Sequence, residues 1–496
     1  MSRCFAIFLF LFLALSSLVD VSSATAQMID DTPTRVQTTL NSGMKIVGTL
    51  RPKSVDEIST SRWSIGCEVL DREYAFYDTY KDYLAPLGIR RIRIQGGWAR
   101  TEKEKGLYDY AWLDRIVDDA RSRGLTIWFQ TSYGNPLYEG GGGRSLAGGI
   151  PTSEEALVAW DNWVRTTAKR YRDKIQDWEV WNEPPFGDRQ AVYAFNVRTA
   201  EIIKNEIPNA RIGGLVVMQS EYAYVVEFVD YLKEKGKLDL FQWVVYHHYT
   251  PNPDEIYPSV EKMIAEVAVR ETKIELYQGE SGVMSEWGAV GALNKTHWTE
   301  LTQAKWDARR MLGDFSHDVY SSVFTICDFE YRTTPWINGL ARYGLLKADV
   351  ASKGFKLLKV KMAYYAVQNV ISVFNDAVEL DATQDVSVVC DKATTATRVR
   401  FRESGSPLVV FWDRSTVPSN ENQTTPATIT VPNAVFENPV WVDTITGNAY
   451  EIPVEKIRIE NSATVFVDVP VYDAPTFIAN CGELSLDSSE FVKANP

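Results

Sequence analysis

From about Arg62 to the region of Ser372, short apolar runs alternate with long amphipathic ones. A short apolar run suits a strand buried on both faces, and the amphipathic run after it suits a crossover helix returning to the next parallel strand. The strand candidates number eight: Trp63–Cys67, Arg91–Gln95, Thr126–Thr131, Asp177–Trp181, Ala210–Leu215, Phe241–His247, Ile274–Gln278 and Ser322–Cys327. The clearest helix is expected from Glu154 to Arg172, with Leu157, Trp160, Val164, Ala168 and Tyr171 on one face and a capping-box start at Thr152 and Glu155. A last helix is expected over about Lys353 to Val370. Eight βα units over roughly 310 residues predict an α/β chain folded as a (β/α)8 TIM barrel. An open doubly wound sheet is the competing arrangement, but neither GxGxxG nor GxxxxGK[ST] follows any early strand.

After Ser372 the pattern changes to short strand-like runs separated by Pro, Asn, Gly and Ser: Val386–Cys390, Arg398–Arg402, Leu408–Trp412, Ala427–Val431, Val440–Asp443, Ala463–Val469 and Thr476–Ala479. This predicts a C-terminal antiparallel β-sandwich domain. Met44–Leu50 either adds a strand to that sandwich or plugs the barrel floor. The expected division is 1–26 leader, 27–61 N-terminal segment, 62–372 barrel, 373–485 sandwich and 486–496 tail. The stretch 27–41 and the tail after Glu483 have the polar composition of poorly ordered ends.

The leader reads as a secretory signal peptide. Arg3 precedes an apolar stretch from Phe5 to Leu15, and Ala24-Thr25-Ala26 supplies a small-x-small cleavage site. That stretch falls short of the roughly 20 apolar residues that span a bilayer. A secreted protein, extracellular or periplasmic and cleaved near Ala26, is therefore expected, with no membrane attachment after processing. The formal net charge of -13 and the absence of a basic stripe argue against a nucleic-acid partner. The oxidising compartment makes Cys67, Cys327, Cys390 and Cys481 disulfide candidates. Cys67 and Cys327 fall on strands that a closed barrel makes neighbours. No cysteine has metal-ligand spacing and the four histidines form no HExxH, so neither a metal nor another cofactor is expected.

In a barrel of this kind the reactive groups sit at the carboxyl ends of the strands. Two carboxylates stand there. Glu183 ends the fourth strand, Asp177-Trp178-Glu179-Val180-Trp181-Asn182-Glu183, and is followed by Pro184; Glu280 ends the seventh, within Gly279-Glu280-Ser281-Gly282. Cleavage of a glycosidic bond needs two facing carboxyl groups, one to protonate the leaving oxygen and one to meet the oxocarbenium-like carbon. A carbohydrate substrate is thereby expected, and a glycosidase that hydrolyses O-glycosyl bonds.

With Trp181-Asn182-Glu183-Pro184 as its most specific element, the chain resembles the clan A glycoside hydrolases, retaining (β/α)8-barrel enzymes, and most of all family 39 and its neighbours. The resemblance implies Glu183 as acid/base, Asn182 as the residue that holds the sugar 2-hydroxyl, and Glu280 as nucleophile. In Arg91-Ile92-Arg93-Ile94-Gln95-Gly96-Gly97-Trp98, Arg93 best fits the clan arginine that hydrogen-bonds the nucleophile, with Gln95 and Trp98 candidates to line the sugar subsite. In Tyr246-His247-His248-Tyr249, Tyr249 fits the tyrosine that orients the nucleophile. Strand alternation sets His247 and Tyr249 on one face and His248 on the other, although a slip of one residue would exchange them.

The third strand ends in Thr131-Ser132-Tyr133-Gly134-Asn135, adding Tyr133 and Asn135 as substrate-binding candidates. The glycine-rich loop from Glu139 to Gly149 then brings Tyr138 or Arg144 to the mouth, or is merely a surface loop. One departure from the clan is that the eighth strand carries no Trp, leaving Trp287 or Trp336 to supply a platform under the sugar. Two other readings use the same residues: a non-catalytic carbohydrate-binding protein on a degenerate barrel, and a transglycosylase.

Overall fold

The computed structural model describes residues 38–488 apart from 185–186, 219–221, 335–336, 352–353 and 382–384. The expected leader and Trp336 lie outside the described residues. Eight parallel strands, β1 (Trp63–Gly66), β2 (Arg91–Gln95), β3 (Thr126–Thr131), β4 (Asp177–Val180), β5 (Arg211–Val217), β6 (Trp243–His247), β7 (Glu275–Ser281) and β8 (Tyr320–Val323), close into a barrel. Closure is made where Ser322 of β8 pairs with Ser64 of β1. Trp128, Val216, Trp243, Val245 and Tyr277 fill its interior as a packed cluster, so the barrel is a core and not a pore.

The expected strands fall within a few residues of the observed ones, with the largest shift at the eighth. Phe324 to Cys327 read as strand because they are mostly apolar, but the chain leaves the barrel after Val323 and the Thr325 hydroxyl binds the Gly66 carbonyl instead. The helix Glu154–Tyr171 is capped by Ser153, whose Oγ accepts from the Ala156 N–H at 3.2 Å, and not by Thr152. Leu157 is only half-buried there, whereas Trp160, Trp163, Val164, Ala168 and Tyr171 are buried. The last helix is shorter than expected, Met362–Val373. Lys356–Val360 pairs as a strand with Leu346–Asp349, because its alternation of Lys and Leu suits a half-exposed strand as well as a helix.

The C-terminal region is a sandwich of an eight-stranded and a four-stranded antiparallel sheet. Its central strand, Pro407–Asp413, is buried on both faces: Leu408, Val410 and Trp412 join the core shared with the barrel, while Val409 and Phe411 face the second sheet. Asp254 ties the two regions together, accepting from Trp412 Nε1 at 2.9 Å and from Arg309 Nε at 2.9 Å. Ile46–Leu50 resolves the alternative left by the sequence. It enters the eight-stranded sheet between Asn448–Glu451 and Leu486–Ser488, which also makes the first part of the expected tail an edge strand. Cys67 and Cys327 are both buried, and all four described cysteines are free, so the disulfide candidates form no bridge. Among the described residues no helix is long and apolar enough to cross a membrane.

Candidate active site

The strands bring their functional side chains together by simple alternation. Arg93 on β2, Gln130 on β3 and Glu179 on β4 lie on inward faces near the carboxyl ends, and barrel closure carries Glu68, just past β1, to the same point. The fully buried Arg93 guanidinium then meets three carboxylates: Nη1 donates to Glu68 Oε1 at 2.9 Å and to Glu280 Oε2 at 3.3 Å, and Nη2 donates to Glu179 Oε1 at 2.6 Å. Nη2 also donates to Asn182 Oδ1 at 2.9 Å. One cation cannot satisfy three buried anions. Burial accordingly pushes the Glu68 carboxyl up to about 8, against the opposing pull of Arg93 and with Glu280 adding to the rise, so Glu68 keeps its proton at neutral pH.

After β4 the chain turns through two left-handed residues, Trp181 at φ 63° and Glu183 at φ 44°. Such a conformation is costly for side-chain-bearing residues and persists only where the surroundings enforce it, as at sites of function. Trp181 is locked among Trp160, Phe195 and Tyr133. Asn182 turns inward, donating from Nδ2 to the Tyr133 hydroxyl at 2.7 Å. Glu183 reaches the mouth, where burial raises its carboxyl to about 7, opposed by the charge of Arg93.

Glu280 stands opposite. Tyr249 donates its hydroxyl to Glu280 Oε1 at 2.7 Å. Gly279, just before it, has to be small, because a Cβ there would collide with Val245 and His247. His247 sits between the two acids, with Nδ1 2.7 Å from Glu183 Oε1 and Nε2 3.4 Å from Arg93 Nη2. Arginine can only donate, so Nε2 carries the lone pair and Nδ1–H donates to Glu183. Burial lowers the His247 ring to about 4, consistent with a neutral imidazole in that tautomer.

One oxygen each of Glu183 and Glu280 and a ring nitrogen of His247 lie within 4.8 Å of one another. By distance alone this trio is also a possible cation cradle. However, the Arg93 guanidinium already contacts both His247 and Glu280, which sets a fixed cation against any second one. The arrangement suits proton transfer and nucleophilic attack across a short gap.

Of the residues expected at the site, Glu183, Glu280, Asn182, Arg93, Tyr133, His247 and Tyr249 meet there. His248 faces away on the half-exposed outer side, its carbonyl accepting from Ser281 and Arg310. Gln95 is turned into a support role, its Oε1 accepting from the Val69 N–H at 3.2 Å and from Arg72. Trp98 is fully buried, donating to Glu102 and packed on Tyr138, Trp160 and Trp163, because the chain turns into a helical segment at Trp98–Thr101. Asn135 is likewise structural, with Nδ2 donating to the Glu102 carbonyl at 2.8 Å. Tyr138 donates to Glu102 at 2.6 Å and does not reach the mouth.

Trp287 is 56% exposed and stacked on His297 at 3.8 Å. Trp336 lies outside the described residues. Beside Glu280 stand instead Tyr331 and Tyr343, which feel its charge, with Tyr249 packed edge-on to Tyr343 at 6.2 Å. These two tyrosines, together with Glu68, Glu179 and Gln130, were not singled out from the sequence. Glu179 and Gln130 carried a usable signal, being polar residues on inward strand positions. Glu68 follows β1, Tyr331 lies on the hairpin strand Phe329–Thr334 beyond β8 and Tyr343 just after that hairpin, segments whose return to the axis only the fold reveals.

No family model matches the chain. In sequence it is similar to a 6-phospho-beta-glucosidase of Dickeya chrysanthemi, 23% identical over 202 residues, covering 34% of this chain and 42% of that protein. In structure it is similar to a family 39 glycoside hydrolase from Bacteroides cellulosilyticus, with a TM-score of 0.59 at 16% identity over 84% of this chain and 80% of that one. It is also similar to a monomeric beta-xylosidase from Caulobacter crescentus, with a TM-score of 0.54 at 16% identity over 88% and 98% of the two chains. The sequence match thus spans less than half of the curated relative's length. The structural matches show that the chain has the fold of the family 39 glycoside hydrolases, a parallel TIM barrel followed by a β-sandwich, as the resemblance implied.

Proposed function

We propose that the chain is a secreted retaining glycoside hydrolase that cleaves β-linked, or stereochemically equivalent, poly- or oligosaccharides by double displacement. The observation that carries this reading is the pairing of Glu183 and Glu280, whose nearest oxygens lie within 4.8 Å of each other, in unlike surroundings. Retaining enzymes hold their carboxyl groups about 5–5.5 Å apart, whereas inverting ones leave roughly 6.5–9.5 Å for a water. Glu183, raised to about 7, keeps a proton to give; Glu280, held by Arg93 and Tyr249, offers an oriented oxygen. The similar proteins named a 6-phospho-beta-glucosidase and a beta-xylosidase support the reaction class and the linkage.

In the first step Glu183 passes its proton to the leaving oxygen as the glycosidic C–O bond breaks, and a Glu280 oxygen bonds the anomeric carbon. In the second, ionised Glu183 takes a proton from water, whose oxygen displaces Glu280 and regenerates both groups. The His247 Nδ1–H fixes Oε1 of Glu183, which assigns the transferable proton to Oε2. Above a pH near 7 Glu183 loses that proton and the first step fails, so the alkaline limb of the rate profile is expected there.

The test is hydrolysis of a panel of aryl β-glycosides by the wild type and by Glu280→Gly. The variant is expected to be inactive alone and, with added azide, to release a glycosyl azide of inverted configuration. An inverted product from the wild type would overturn the reading.

A further inference from the structure

A cleft of about 510 Å³ opens beside the catalytic pair and shares Tyr133 with it, the residue whose hydroxyl holds Asn182. Its walls come from three places: the segment after β1, the turn after β2, and the glycine-rich loop after β3, with Arg332 closing one side. Five basic side chains line it, Arg72, Arg100, Lys103, Arg144 and Arg332, against two acidic ones, Asp71 and Glu73. Such a concentration of positive charge stands out in a chain whose formal net charge is -13.

Three of these cations are partly neutralised. Arg72 pairs with Asp71 at 3.2 Å, Arg100 with Glu73 at 2.9 Å, and Arg332 with Glu330 at 2.6 Å. Arg144 and Lys103 make no ion pair with another described residue. The backbone that carries Arg144 is held in place, while its side chain is exposed. Its loop is closed by the Gly143 N–H donating to the Gly148 carbonyl at 2.8 Å and the Thr152 N–H donating to the Gly140 carbonyl at 2.8 Å. Gly143 and Gly148 approach so closely that a Cβ on either would strike the other's backbone. Arg72, nearly buried, lies over the Tyr133 ring at 4.9 Å and so links the basic wall to the catalytic centre.

From this we infer that the cleft is a subsite for a sugar unit carrying an anionic substituent, a carboxylate, sulfate ester or phosphate ester, recognised by Arg144 and Lys103 with Arg72 at its inner end. The inference rests on the proposed glycosidase reading for the neighbouring bond but is tested separately from it. A neutral glycan would leave the free cations with nothing to bind but water. An anionic one gains charge-assisted hydrogen bonds along the basic wall.

The experiment measures binding to the Glu280→Gln protein by calorimetry, which needs no turnover. Oligosaccharides of one backbone are compared in uronate, carboxyl-reduced, sulfated and phosphorylated forms, and the form that binds best identifies the anion. An anionic form is expected to bind on the order of tenfold more tightly than the neutral one, with the difference shrinking in high salt. Arg144→Glu is expected to remove the difference, and Arg144→Lys to restore part of it. Equal binding of neutral and anionic forms, or a preference unchanged in Arg144→Glu, would overturn the inference. Preferential anion binding without cleavage of any member by the wild type would instead leave the subsite standing and remove the hydrolase reading.

Discussion

Arg91 and Arg93 occupy the same face of the same strand, two residues apart, yet they live in opposite worlds. At the floor of the barrel Arg91 lies over the rings of Trp128, Tyr277 and Tyr320 at 5.0, 5.2 and 5.5 Å, with one ion pair to Asp177 at 3.3 Å. At the mouth Arg93 is ringed by Glu68, Glu179 and Glu280. The floor disperses the charge of Arg91 over aromatic faces and a carboxylate, Asp177, that it shares with Arg211. The mouth gathers more acid than its cation can neutralise, and the surplus is relieved by protonation. Stability is therefore built at the amino end of the strands and chemistry at the carboxyl end, as the barrel architecture generally divides them.

The comparison is broken most severely at the mouth itself. Glu183→Ala is expected to lower turnover by on the order of 10²–10⁴, with a smaller loss for an aryl leaving group that needs no proton. Steady-state kinetics on a good and a poor leaving group check this. Equal losses on both would remove Glu183 from the role of acid.

Next comes the contrast between the two arginines. Arg93→Met strands buried carboxylates and is expected to cost about 3–5 kcal/mol of stability, while moving the acidic limb of the pH–rate profile upward because those carboxylates lose their cation. Arg91→Met should cost only about 1–2 kcal/mol, the scale of a desolvated cation–π contact, and leave the pH profile in place. The smaller cost follows from two Arg91 nitrogens, Nε and Nη2, that already lack hydrogen-bond partners. Denaturant melts paired with pH–rate curves separate the two. A shifted profile in Arg91→Met would erase the division between floor and mouth.

At acid pH the smallest effect is expected from Glu68→Gln. Glu68 has its folded pKa raised from 4.5 to about 8, so the folded state binds this proton more tightly than the unfolded chain does. Its contribution is fully present below pH 4.5 and is lost as pH rises through 8. Wild type and Glu68→Gln should therefore melt alike near pH 4, with the variant becoming the more stable of the two by pH 9. A gap in melting temperature that stays constant across this range would show that Glu68 does not hold a proton at neutral pH.

The sequence carried the fold through its eight apolar runs because parallel barrel strands are buried on both faces and must be written almost wholly in apolar residues. It failed where that rule does not operate. Lys356–Val360 reads equally as helix or strand, and Phe324 to Cys327 are mostly apolar for packing outside the barrel. At the site it placed Arg93 and Glu280 because each lies on a strand, where position along the chain is position in space, and Glu183 and Tyr249, just past β4 and β6, through the motifs of the resemblance. It misplaced Trp98 and Asn135, which lie beyond strand ends, where one turn of backbone redirects the side chain.

What the sequence determined by itself, then, was which two carboxylates stand at the ends of the fourth and seventh strands and that a barrel presents them. What only the tertiary structure decided was their chemical state: that Glu68 and Glu179 join Glu280 around one guanidinium, that His247 donates to Glu183, and that Glu183 is poised near 7. The physical reason is that strand position is a local property, set by periodicity. A proton's affinity depends instead on burial and on charges within a few ångströms, which come from β1, β2, β4, β6 and β7 and meet only when the barrel closes.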